Sequence, residues 1–208
     1  MRLGRALCLA VLAFLLVGAL GTGWWNTKAG DLMQRERTAL GPVIGAVHVI
    51  RFAPTNFVPD LRGRGLTDFA AVDELVAQFD GRDAVYEALD RLDAADLTFE
   101  ERALRKPLRP IADDYFTAHS RLAERNLHYT GIDGIAAGNL LLGAHDRHIA
   151  ELGTVAGELA ASLEARDARL CTDLEAARTI RNAAFASAVL IALLAVGLVT
   201  RWRLRPRR

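Results

Sequence analysis

The chain predicts an all-α membrane protein in which two transmembrane helices flank an extracytoplasmic up-down-up-down four-helix bundle. Three observations lead there. Apolar runs stand near both ends of the 208 residues. Arginine gathers on the outer flank of each run. Between the runs, apolar positions recur at helical rather than strand spacing.

The first run, Ala6 to Trp25, reads ALCLAVLAFLLVGALGTGWW and carries no charged residue. Its length of about 20 residues covers the hydrocarbon core of a bilayer as helix. The second, Ala183 to Thr200, reads AAFASAVLIALLAVGLVT. It stands near the short end of the spanning range at about 18 residues, with Trp202 as an interfacial anchor. Arg2 and Arg5 precede the first run, while Arg201, Arg203, Arg205, Arg207 and Arg208 follow the second. Positive residues beside a spanning helix stay in the cytoplasm, so both termini are expected there. The expected division is a cytoplasmic N-terminus over 1–5, spans over 6–25 and 183–200, a periplasmic region over 26–182 and a basic cytoplasmic tail over 201–208, in a bacterial inner membrane. A second reading makes the first run a cleaved signal peptide, with Ala19, Leu20 and Gly21 near the cleavage position.

The region between the spans reads as helix with few breaks. Met33, Leu40, Ile44, Val47 and Ile50 supply the core stripe of the first helix, interrupted at Gly41-Pro42, where proline removes a backbone donor. Residues 53–66 hold two prolines and two glycines and form the main loop. A second helix follows Thr67-Asp68 and buries Val72, Leu75, Val76, Phe79, Val85, Tyr86, Leu89 and Leu92, with a soft point at Gly81. Thr98-Phe99-Glu100-Glu101 fits a capping box, so a third helix starts at Thr98 and carries Leu104, Leu108, Ile111, Tyr115, Leu122 and Leu127. Pro107 and Pro110 make its first turns irregular. Residues 129–138, with Gly131, Gly134 and Gly138, read as a turn. In the fourth helix Ile149, Leu152, Ala156, Leu159 and Leu163 alternate steps of three and four, a heptad seam that continues to Leu170, Leu174 and Ala177. Nothing interrupts it before the second span, so Asn139 to Thr200 reads as one rod of about 90 Å. The seam fills the chain's own core or forms a homodimer contact.

Composition narrows the function further. Lysine and arginine number 26 against 25 acidic residues, a formal net charge of +1, and the tail arginines already have a topological role. Nucleic acid is therefore not an expected partner; membrane lipid is. Cys8 lies in the first span and Cys171 is the one thiol between the spans, either a small helix residue or a bridge between subunits. The Gly-x-Ser-x-Gly elbow, the His-Glu-x-x-His zinc helix, the phosphate loop and the Cys-x-x-Cys pair are all absent from the sequence, which reads as non-catalytic.

Two groups of side chains are candidate binding sites. His145 and His148 stand three apart on the fourth helix. A turn centred near Asp133 would bring His119 level with His148. Arg121 and Leu122 would then lie level with His145, and Glu124 and His128 nearer the turn. Two or three imidazoles with a carboxylate suit a divalent zinc- or nickel-like ion, or the histidines are solvated or hydrogen-bonded at the surface. No other cofactor is expected. The second group is the membrane-distal arginines Arg51, Arg62, Arg64, Arg125 and Arg147, of which Arg51, Arg125 and Arg147 are the expected ligand-binding set. A guanidinium fork suits a carboxylate; the same residues also read as an ordinary solvated face.

The segment Thr200-Arg201-Trp202-Arg203-Leu204-Arg205-Pro206, after a helical region that opens with a short basic tail and a span, is similar to the start of the cytoplasmic HAMP linker. In organisation the chain resembles the four-helix-bundle sensor module of methyl-accepting chemotaxis receptors and related sensor kinases. That resemblance implies a sensor-like signal-transduction protein, with a small displacement of the fourth helix as the signal. Only Arg207 and Arg208 follow Pro206, so the signal is expected to pass to a separate cytoplasmic or membrane partner. A non-catalytic structural or assembly subunit of a membrane complex is the alternative.

Overall fold

The computed structural model describes the backbone of residues 2–52, 80–126 and 132–204. It describes the side chains in these segments except 2–5, 80, 119, 122–126, 132–142, 144–145 and 203–204. The regular structure among the described residues is all helix: α1 (Arg2–Phe52), α2 (Asp80–Asp93), α3 (Phe99–Arg105), α4 (Leu108–Asn126) and α5 (Ile132–Leu204). The main loop, the first part of the expected second helix, and Arg62 and Arg64 fall in 53–79, outside the described residues.

The chain divides into two compact units, Met1–Thr38 with Asp167–Arg208, and Ala39–Arg166. In the first unit α1 and α5 run antiparallel. Arg37 Nε donates to Asp167 Oδ1 at 3.0 Å, and a Cβ on Gly23 would stand 3.1 Å from the Phe185 ring. Leu174, Ala177 and Ala188 are its buried side chains. Two helices are long and apolar enough to cross a membrane, with mean hydropathy of 2.3 and 2.4 in their most apolar windows. Only 6% and 11% of those windows is buried within the chain.

The second unit holds the main core. Leu152, Ala156, Leu159 and Leu163 are fully buried, so the heptad seam expected on this helix fills the chain's own interior. Leu40, Val47 and Ile50 meet it from α1, and here too the helices run antiparallel: His48 pairs with Glu164 at 3.2 Å and Arg51 lies against Gly157. Val85, Ala88, Leu89 and Leu92 on α2, and Leu108, Ile111, Ala112, Tyr115 and Phe116 on α4, are buried stripes at helical spacing. Each buried leucine or isoleucine contributes about 1.5–3 kcal/mol relative to its exposed state.

Three boundaries differ from the sequence-based expectation. The helix continues through Gly41-Pro42. Both residues and Thr38 are exposed, so the Thr38 carbonyl that loses its amide partner to proline faces water. The irregular turns expected at Pro107 are a break: α3 ends at Arg105 and α4 opens at Leu108, with Pro110 in its first turn, where the missing N–H has no helical acceptor in any case. The turn expected over 129–138 is helix from Ile132 onward. Gly134 and Gly138 lower helix stability by about 1 kcal/mol each, a penalty a 73-residue helix absorbs. The Thr98 capping box forms as expected: Glu101 N donates to Thr98 Oγ1 and Thr98 N to Glu101 Oε2, at 3.3 and 2.7 Å.

Candidate functional site

In the first unit, the turns of α1 and α5 just beyond the apolar runs enclose a cleft of about 120 Å³. Asn26, Thr27, Gly30, Asp31 and Gln34 line it from α1, at the i, i+4, i+8 spacing of one helix face. Leu174, Ala177, Arg178 and Arg181 line it from α5, with the buried Leu174 and Ala177 as its apolar floor. Arg178 and Arg181 stand three apart and share a face. Some polar groups are already satisfied by their own helix: Asn26 Nδ2 donates to Thr22 O and Thr27 Oγ1 to Gly23 O, both at 2.9 Å. A Cβ on Gly30 would meet nothing within 4 Å, so the cleft is open at that point. One carboxylate and two guanidiniums therefore face one space, a set able to hold an anion and a cationic donor together.

The expected ligand arginines are placed as follows. Arg51 is half-buried, its guanidinium 5.0 Å from the Phe52 ring centroid and 3.7 Å from a Cβ placed on Gly157. Arg147 is exposed and bonds its own helix, Nε donating to Gly143 O at 3.3 Å. Gly157 and Arg147 are separated by about 15 Å of helix rise, so the structure does not bring Arg51 and Arg147 to one level of α5. The side chain of Arg125 lies outside the described residues. Of the expected metal ligands, His148 is half-buried on α5, while the side chains of His119 and His145 lie outside the described residues. Asp133, on which their expected pairing turned, is inside α5. Among the described residues no group of three His, Cys, Asp or Glu side chains is placed to hold a metal ion.

Sequence reasoning missed two polar centres. His48 sits between the core residues Val47 and Ile50, stacks on Phe52 at 5.8 Å and reaches Glu164 through Nε2. Its buried Nδ1 has no hydrogen-bond partner among the described residues. The other is Glu101, which is 1% exposed and the one buried charged residue among those described. Arg166 Nη1 donates to its Oε2 at 3.1 Å and to the Asp96 carbonyl at 3.3 Å. A signal for this pair was present: Arg166 follows Leu163 by three and precedes Leu170 by four, so it occupies a seam position, where a charge requires a buried counter-ion.

Between α2 and the pair α3 and α4 the polar contacts form a surface band. Arg109 bonds Asp90 and Asp93 at 2.5 and 3.0 Å, and Arg105 bonds Asp93. The Asp90 hydrogen bond raises the Arg109 pKa above its ordinary value. Tyr86 donates to Asp113 Oδ1 at 2.5 Å, and burial, then this acceptor, raises its pKa. Burial alone pushes Tyr115 up to about 12. These contacts fix α2 against α4 and present no open site.

No protein-family model, curated protein or solved structure matches the chain.

Proposed function

We propose that this chain is a two-pass membrane protein that senses at the region between its spans and passes the signal through α5. The observation that carries the reading is one helix: α5 holds the fully buried seam at Leu152–Leu163 and, further along, an apolar window that the chain itself leaves uncovered. A displacement that starts in the seam has a continuous hydrogen-bonded path to the second window. A soluble core helix would bury its apolar window, so the 6% and 11% burial supports lipid as the cover. The hydroxyls in these runs are compatible with it: Thr22, Ser187 and Thr200 donate to Gly18 O, Ala183 O and Val196 O of their own helices. The arginine flanks favour cytoplasmic termini, with 26–182 outside the cytosol.

On the resemblance to chemotaxis-receptor and sensor-kinase modules, the receiver is a signalling partner on the cytoplasmic side. Crosslinking from Cys171 in intact membranes, in a Cys8→Ser background, tests this. Capture of a kinase or receptor that lacks its own extracytoplasmic domain is expected. Capture of transporter or envelope-machine subunits alone contradicts sensing and favours an assembly subunit.

A further inference from the structure

We propose that the cleft between Asn26–Gln34 and Leu174–Arg181 binds the headgroup of a phospholipid that carries a primary ammonium beside its phosphodiester. The proposal rests on the membrane reading above and specifies what the cleft recognises there. Position is the first argument. On α5, Arg181 and Arg178 precede Ala183 by about 3 and 7 Å of helix rise; on α1, Asp31 follows Trp25 by about 9 Å. The headgroup region extends roughly 5–8 Å beyond the hydrocarbon core on each side, so the guanidiniums stand at phosphate level and the carboxylate just beyond its outer edge. Trp24 and Trp25 are exposed on the turn below, as an interfacial belt requires.

Charge is the second argument. Arg178 offers forked donors to a phosphodiester, whose oxygens accept two N–H bonds at once, and Arg181 does so by exchanging the long 3.4 Å bonds from its Nε and Nη2 to Asn182 Oδ1. A purely anionic headgroup would meet Asp31 in the same cleft as a repelling charge. A primary ammonium turns that repulsion into a contact, because it brings three N–H donors to the carboxylate. A quaternary ammonium has no N–H and would forgo it. The polar lining of the cleft therefore matches a zwitterion in which a phosphate and a donor-bearing ammonium are adjacent.

The test is retention of lipid by the full-length chain in detergent, read by native mass spectrometry. The probes are phosphatidylethanolamine, phosphatidylglycerol and phosphatidylcholine with identical acyl chains. Phosphatidylethanolamine is expected to bind about tenfold more tightly than phosphatidylcholine, the scale of one charge-assisted contact. Arg178→Gln and Arg181→Gln should weaken both phosphatidylethanolamine and phosphatidylglycerol. Asp31→Asn should weaken phosphatidylethanolamine while sparing or strengthening phosphatidylglycerol. Gly30→Phe, which fills the open point of the cleft, should abolish the preference. Each variant is compared at unchanged helix content and thermal midpoint, with Arg178→Lys as the charge-retaining control. Equal retention of phosphatidylethanolamine and phosphatidylcholine, or an Asp31→Asn chain with its preference intact, overturns the proposal. Displacement of the lipid by an equal concentration of free phosphoethanolamine assigns the cleft to a soluble phosphate compound and overturns the lipid source. A topology reporter at Gly63 separates the two failures: correct topology without headgroup preference sinks this proposal alone.

Discussion

Glu101 accepts both its cap bond to Thr98 and the Arg166 guanidinium while almost fully buried, so its carboxylate ties the start of α3 to α5. Removing Glu101 strips Arg166 of this counter-ion while its bond to the Asp96 carbonyl remains. Arg166 retains 22% side-chain exposure, which tempers the loss. Glu101→Ala is expected to destabilise the chain by about 3 kcal/mol, and Glu101→Leu with Arg166→Met to recover much of it. Thermal unfolding of the single variant and the double variant in micelles measures both effects. Tyr115 sets an alkaline limit. Its folded pKa of about 12 lies above the unfolded value of about 10, so the neutral phenol is the form the fold prefers. Its contribution is intact below pH 10 and is lost as pH rises through 12. Tyr115→Phe should flatten the decline in stability over that window by up to about 3 kcal/mol. Tyr86 is raised in the same direction, and its remaining decline should disappear in the double phenylalanine variant.

At the scale of elements, the local signals differ in how far they could be read from sequence. The Thr98 capping box is a four-residue pattern with a single satisfying geometry, and the helix starts there as expected. Thr98→Ala should therefore lower stability by about 1 kcal/mol in the same unfolding assay. The heptad seam was equally legible, because alternation of three and four positions fixes one face whatever packs on it. Proline and glycine were over-read as breaks. Pro42 lies on the exposed side of α1, where water takes the orphaned carbonyl. Restoring the amide with Pro42→Ala should raise the thermal midpoint, by about 1–3 kcal/mol in stability. The cleft was not legible. Asp31, Arg178 and Arg181 each read as solvated helix positions, and only the antiparallel pairing of α1 with α5 puts them in one space.

At the scale of the whole molecule, the account depends on what covers two uncovered apolar windows. Among the described residues nearly nothing does: the bulky side chains Leu7, Phe14, Val189, Leu190 and Leu193 are all at least 60% exposed. Side chains of this size in water would form a contiguous apolar surface beyond what soluble monomers present. In the proposed reading lipid covers both windows and, with arginine on their outer flanks, the region between them lies outside the cytosol. The most direct measurement is a pair of in-frame fusions at Gly63, one to a phosphatase active only outside the cytosol and one to a reporter active only within it. The account predicts an active phosphatase and a silent cytosolic reporter. The reverse result would contradict it.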